Sequence, residues 1–119
     1  MARDIVFGTD GWRDRMYNQF TQPNVHRVLH AIATYTKHEG GEKKGIVIGY
    51  DARFFSDHFA GEAAKVLTEA GIKVYIMPRD LPTPVIAFAV QQKSAFGAVM
   101  FTASHNPPEY NGIKFIPYI

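Results

Sequence analysis

Short apolar runs that alternate with helical patterns constrain the fold of this chain more than any other feature. Residues 45–50 are almost continuously apolar, as in a strand whose sheet is covered on both faces. Apolar residues recur at helical spacing in residues 25–35 and 59–70. Strands separated by helices predict an α/β protein, a three-layer α/β/α fold with a mixed, mainly parallel sheet and right-handed crossovers.

The limits of the predicted elements follow from cap and turn residues. The predicted strands are residues 5–7, 45–50, 72–77, 96–101 and 113–117, of which the last is expected to pair antiparallel. The predicted helices begin at Thr21, Ser56 and Thr83. Ser56 and Thr83 are interpreted as caps, with Pro84 as the first helical residue after Thr83.

Length, cysteine content and charge limit the possible functions. The chain has 119 residues with 46% hydrophobic content, enough for one domain, residues 1–119, with a core of its own. It has no cysteine, which excludes disulfides, thiolate metal sites and a cysteine nucleophile, and the cytoplasm is the expected location. A net charge of +2 is too small for nucleic-acid binding. No apolar run approaches the ~18 residues of a membrane span, so neither nucleic acid nor a membrane is an expected partner.

A serine loop, residues 102–109, follows the fourth predicted strand. Ser104 comes soon after the apolar run, and Pro107-Pro108 stiffens the segment behind it. Asn111-Gly112 is typical of a turn and is predicted to direct the chain into the last strand. A serine on such a loop is a rigid, exposed nucleophile.

The groups around this serine suit phosphate chemistry better than acyl transfer. His105, Asn106 and Lys114 offer cationic and amide donors rather than a base held by a carboxylate. A phosphoserine has about −1.5 to −2 charges at neutral pH and needs such donors nearby.

Four loops are expected at the carboxyl ends of the strands, where open sheets bind ligands. They are Thr9–Arg13, Asp51–Arg53, Pro82–Thr83 and Thr102–Asn106. Asp51 and Arg53 are explained equally well by a place in the cleft or by a local ion pair or turn-stabilising contact. His26 and His30 have the spacing of a zinc motif, but Arg27 stands where that motif needs glutamate, so a solvated helix face is expected.

Three motifs, in this order, resemble the α-D-phosphohexomutases. They are residues 7–13, residues 49–53 and residues 102–114. The resemblance extends over essentially the whole chain but covers the first of the four domains of that family. It implies that the chain is the N-terminal catalytic domain of a larger enzyme, and the abrupt end after a strand is interpreted as truncation.

The resemblance also implies roles for particular residues. Ser104 would hold a phosphoryl group, pass it to a hexose phosphate and receive one back from the bisphosphorylated sugar. His105 and Lys114 would lie near the sugar hydroxyl, with Lys114 as candidate general acid or base. Thr9 and Arg13 would contact the ligand, and an arginine fork suits phosphate oxygens.

Cofactors and partners follow from the same resemblance. Mg²⁺ would be held by the phosphate on Ser104 and by three aspartates outside this chain. A glucose 1,6-bisphosphate-type activator is expected, as are a hexose phosphate substrate and the remaining domains of the same protein. Sugar preference stays open between glucose, mannose and glucosamine phosphates.

Two other functions are compatible with these residues. A stand-alone phosphosugar-binding module could keep the serine loop without turnover, and a structural domain would not need Ser104 at all. The isolated chain is expected to be inactive, and its aromatic content of 13% predicts some self-association.

Overall fold

A computed structural model of the chain describes residues 12–15, 22–52, 56–102 and 110–118. Its strands are β1 (Trp12–Arg15), β2 (Ile46–Tyr50), β3 (Val74–Ile76), β4 (Gly97–Phe101) and β5 (Tyr110–Pro117). Its helices are α1 (Gln22–His38), α2 (Ser56–Glu69) and α3 (Thr83–Lys93). The five strands form one sheet in the order β1-β5-β4-β2-β3.

The sheet is mixed, and four of its strands run in one direction. β2 pairs in parallel with both β3 and β4, whereas β5 pairs antiparallel with both β4 and β1. β1 therefore runs in the same direction as β4, and β5 is the reversed strand among the described residues. The predicted mixed, mainly parallel sheet and the antiparallel last strand are confirmed.

The direction of each crossover decides which face its helix covers. The chain moves across the sheet one way from β1 to β2 and from β2 to β3, and it returns from β3 to β4. Right-handed crossovers then place α1 and α2 on one face and α3 on the other.

The two cores agree with this arrangement. Leu29 of α1 and Leu67 of α2 are buried with Ile48 on one face, while Ile86 of α3 is buried with Val47 on the other. The three-layer α/β/α fold is confirmed. Within the described part of the chain, no helix has both the length and the hydropathy to cross a membrane.

Close packing of α3 depends on a glycine in β2. A Cβ atom on Gly49 would lie 2.5 Å from Ile86 Cδ1 and 3.0 Å from Met100 Sδ. Both neighbours are fully buried, so neither can move aside without disturbing the core. Gly49 thus sets the distance between the sheet and the first turns of α3.

The predicted turn at Asn111-Gly112 is wrong, because both residues lie inside β5. The Thr102 amide donates to the Gly112 carbonyl at 3.0 Å, and β1 pairs with β5 at Arg13 and Gly112. Partners on both sides hold this stretch extended, which overrides its local turn tendency.

The boundaries of three other elements differ from the prediction. Arg13 lies in β1 and not in a loop, since the edge of β5 is available for pairing. α3 starts at Thr83 itself, so Pro82 takes the cap position and no side chain caps the helix. β3 is shorter than residues 72–77, because the Ile72 amide donates to the Leu67 carbonyl instead of to the sheet.

The first predicted strand, residues 5–7, and the predicted helix start at Thr21 lie outside the described residues.

Replacing Gly49 with alanine should destabilise the domain by about 1–3 kcal/mol, because the added methyl overpacks the contact with Ile86. Gly61→Ala is the matched control, since Gly61 lies in α2 and a Cβ atom added there would meet nothing within 4 Å. The control should stabilise the helix by about 0.5–1 kcal/mol. Urea unfolding of both variants measures the two changes, and equal effects would contradict the packing argument.

Candidate functional site

The carboxyl ends of three strands meet at one edge of the sheet. Because β4, β2 and β3 are parallel neighbours, the segments that follow them leave at the same end. Backbone hydrogen bonds join these segments, from Leu81 N to Tyr50 O at 3.0 Å, from Asp51 N to Phe101 O at 3.2 Å and from Thr102 N to Gly112 O at 3.0 Å. These bonds hold together the ends of β2 and β4, the start of β5 and the segment after β3. We call this end of the sheet the rim.

The first motif reaches the same rim through β1. The register aligns Trp12 with Ile113 and Arg13 with Gly112, the residue that also accepts the Thr102 amide. The backbone of Arg13 therefore lies beside the strand that leaves the serine loop. Arg13, Asp51 and Thr102, from three of the four predicted loops, therefore meet at this rim, and Leu81, next to the Pro82–Thr83 loop, is bonded to it.

Several predicted site residues lie outside the described residues. Thr9, Arg53, Ser104 and His105 belong to this group. Their predicted roles stay predictions, and the described framework reaches the serine loop on both sides, at Thr102 and at the start of β5.

Asp51 forms a turn contact at the end of β2. The buried Ser56 hydroxyl donates to Asp51 Oδ1 at 3.0 Å, and the Asp51 side chain is half-buried. This bond ties the end of the strand to the first turn of α2. Of the two interpretations left open by the sequence, the turn contact is therefore observed for Asp51.

Lys114 lies on β5 close to the rim. It is aligned with Met100 of β4 and stands two residues, about 7 Å along the strand, from Gly112. Strand alternation places it on the same face as Met100, the face that α3 covers farther along the sheet. Its side chain is half-buried.

The described residues do not assemble a metal site. Within residues 12–15, 22–52, 56–102 and 110–118, no group of three or more His, Asp or Glu side chains is arranged to hold an ion. The Mg²⁺ prediction thus depends on Ser104 and on aspartates outside the chain.

Sequence reasoning missed a histidine–glutamate contact between the first two helices. His30 is exposed as predicted, but His26 Nε2 lies 3.4 Å from Glu62 Oε2, and His58 Nε2 lies 3.9 Å from Glu62 Oε1. The expected solvated face is therefore wrong for His26. Only the packing of α1 on α2 brings these residues together, and no local pattern signals it.

Comparison with known proteins assigns the family. The family profile described as phosphoglucomutase/phosphomannomutase, alpha/beta/alpha domain I, matches residues 4–118. A Haemophilus influenzae protein assigned as a phosphomannomutase is 50% identical over 91 residues, and a Staphylococcus haemolyticus phosphoglucomutase is 38% identical over 117 residues. The chain belongs to the phosphoglucomutase/phosphomannomutase family and corresponds to its α/β/α domain I.

The structural comparison agrees with the sequence comparison. A Thermus thermophilus protein assigned as a phosphomannomutase has a TM-score of 0.93 and 39% identity over 99% of this chain. The matched region is 26% of that protein. The matches to the two sequence relatives cover 76% and 93% of this chain but only 18% and 21% of the relatives' own length. The chain therefore spans about a quarter or less of the proteins that it matches.

A double-mutant cycle on Asp51 and Ser56 should give a coupling free energy of about 0.5–1.5 kcal/mol, the value of one hydrogen bond. Ser56→Ala, Asp51→Ala and the double variant are compared by urea unfolding. Thr34→Ala is the control, because its exposed hydroxyl bonds within α1, and its effect should stay within about 0.5 kcal/mol. Additive losses at Asp51 and Ser56 would show that the bond does not hold the turn.

Proposed function

We propose that this chain is the phosphoserine domain of a phosphohexomutase, which interconverts hexose 1-phosphates and 6-phosphates. The observation that supports this most directly is the rim itself. Gly112 accepts the Thr102 amide and is aligned with Arg13, so the first and third motifs share one end of the sheet. Family membership adds the reaction class, since the relatives are mutases.

Ser104 is the proposed phosphoryl carrier. A sugar hydroxyl oxygen attacks the phosphorus of phosphoserine, the bond from phosphorus to Ser104 Oγ breaks, the serine oxygen takes up a proton, and a bisphosphorylated sugar forms. The proton of the attacking hydroxyl passes to a base, for which Lys114 is the candidate. After the sugar reorients, the Ser104 hydroxyl gives up its proton and attacks the other phosphate, and the sugar oxygen that leaves takes up a proton.

The remaining predicted residues bind and orient the ligand. Arg13 and Thr9 are proposed to contact phosphate oxygens, and His105 is proposed to donate to the sugar hydroxyl or the phosphate. Positioning and charge stabilisation are the main tasks of a protein in phosphoryl transfer, so a rim that brings these residues together suits the reaction.

Mg²⁺ and an activator belong to the same proposal. The phosphate on Ser104 would supply one ligand, and aspartates of another domain the others. Bound there, the ion would neutralise charge on the phosphoryl group. A glucose 1,6-bisphosphate-type activator would load Ser104 with its first phosphoryl group.

The substrate is proposed as a hexose phosphate without a choice of sugar. The relatives are named phosphomannomutase, phosphoglucomutase and phosphoglucosamine mutase, at 50%, 38% and 36% identity over 91, 117 and 113 residues. Because the chain covers 18–24% of those three relatives, we propose that turnover needs the rest of the protein. A cytoplasmic location stays a prediction.

Ser104→Ala in the intact protein should lower mutase activity by at least about 10³-fold, because the group that forms the covalent intermediate is lost. It should also abolish the phosphate that intact-mass measurement finds after incubation with glucose 1,6-bisphosphate. Ser94→Ala is the control, since Ser94 is exposed at the end of α3 and should keep both activity and phosphate.

Full activity in the Ser104→Ala variant would reject the carrier role and favour a structural domain. Saturable binding of glucose 1-phosphate to the 119-residue chain, with no phosphate transfer by the intact protein, would favour the binding module.

Lys114→Gln should lower kcat by about 10²–10⁴-fold, the usual contribution of a positioned general acid or base. The amide of glutamine cannot accept the hydroxyl proton. Lys65→Gln is the matched control, because Lys65 is exposed on α2, on the opposite face of the sheet. A normal kcat with a raised KM would limit Lys114 to binding.

A further inference from the structure

The outer edge of β3 has no strand beside it in the described part of the chain. β3 stands last in the order of the sheet and pairs with β2 on its inner side. The Lys73 carbonyl accepts a backbone amide of β2, and the Met77 amide donates to a carbonyl of β2. Alternate residues of a parallel strand direct their backbone groups the other way. Val74 and Ile76 therefore present two amides and two carbonyls on the open edge.

The ring of Tyr75 leans inward from this edge and holds two lysines. A Cβ atom on Gly45, which precedes β2, would lie 2.9 Å from Tyr75 Cε2, so the ring lies over the start of β2. The ammonium nitrogens of Lys73 and Lys93 lie 5.2 Å and 5.0 Å from the ring centroid. Cation–π contacts at these distances are favourable. They keep both charges beside the ring, on the face of the sheet that α3 covers.

This arrangement leaves the backbone of the edge accessible. Lysines on an edge strand commonly prevent a second strand from pairing with it. Here both ammonium groups are held beside a ring that lies over β2, and they do not cover the outward groups of Val74 and Ile76. Ile76 is also 48% exposed, on the face opposite to Tyr75. The edge can therefore accept another strand, with positive charge on one face and an apolar side chain on the other.

The charge beside the edge favours an acidic partner. Lys73 and Lys93 are exposed, and the turn at residues 42–44 adds two more exposed lysines. The Glu42 carbonyl of that turn accepts the Lys73 amide at 3.0 Å, and the Glu42 side chain is half-buried. Glu69 lies on α2, which packs on the other face of the sheet. A second copy of this chain is a poor partner, because its lysines would be brought against these.

We propose that the edge of β3 binds an extended acidic segment of a partner protein by strand addition. The added strand bonds to the outward amides and carbonyls of Val74 and Ile76. Its carboxylates pair with Lys73 and Lys93, and apolar side chains on its other face cover Ile76. Because the edge is short and the charges are exposed, the contact is weak and depends on salt. The proposal is independent of the mutase reaction, since it uses no residue assigned to that reaction.

The test measures binding of a short fluorescent peptide of alternating glutamate and valine to the intact protein at low salt. We expect saturable binding by fluorescence anisotropy. Hydrogen exchange resolved to single amides should slow at Val74 and Ile76 by at least about fivefold when the peptide is bound. The same peptide with every backbone amide N-methylated cannot donate to the edge and should bind at least about tenfold more weakly.

Charge reversals test the lysines in the same assay. The double variant Lys73→Glu/Lys93→Glu should bind the peptide at least about tenfold more weakly, because two attractions become repulsions. Lys37→Glu/Lys65→Glu is the control of equal net charge, since both lysines are exposed on the helices of the other face. The control should stay within about threefold of the unaltered protein.

Four results would overturn the proposal. Equal binding of a peptide with lysine in place of glutamate would remove the charge argument, and equal binding of the methylated peptide would remove the strand argument. Slow exchange at Val74 and Ile76 before peptide is added would show that another part of the protein, or a second copy, already covers the edge. The fourth is a lack of saturable binding to the unaltered protein.

Discussion

The hydrogen bond from the Thr102 amide to the Gly112 carbonyl closes the serine loop at its base. Closing a loop costs conformational entropy. Here the pairing of β4 with β5 offsets that cost, because these two strands flank the loop and pair with each other. β4 and β5 are fixed by their ladder, and β1 adds a second partner to the start of β5. The positions of the two described ends of the loop are thus set by the sheet.

The alternation of strands and helices was readable from the sequence because hydrophobic periodicity reports burial directly. Residues 45–50 and 96–101 became β2 and β4 almost to the residue, and the three helices appeared where the helical spacing placed them. The sequence did not indicate which strands pair with each other. Asn111-Gly112 favours a turn locally, yet it is held extended by neighbours that are about 10 and 100 residues away along the chain.

Only part of the candidate site could be predicted from the sequence. Asp51 could be placed at the carboxyl end of a strand, and Lys114 in the last strand, as soon as the strands were recognised. That Asp51 would accept the Ser56 hydroxyl, and that Glu62 would lie between His26 and His58, required the positions of whole helices. The proposed reaction depends on motif resemblance, because the same residues on another framework would serve other chemistry.

The single reversed strand of the described sheet has a mechanical consequence. β5 starts where the serine loop ends, and its other end lies beside the start of β4, where the Tyr118 amide donates to the Phe96 carbonyl. A force along the axis of β5 would load its pairs with β4 in shear, so that the pairs resist together and do not open one after another. The same ladder would hold the start of β5, and with it the rim, in place against such a force.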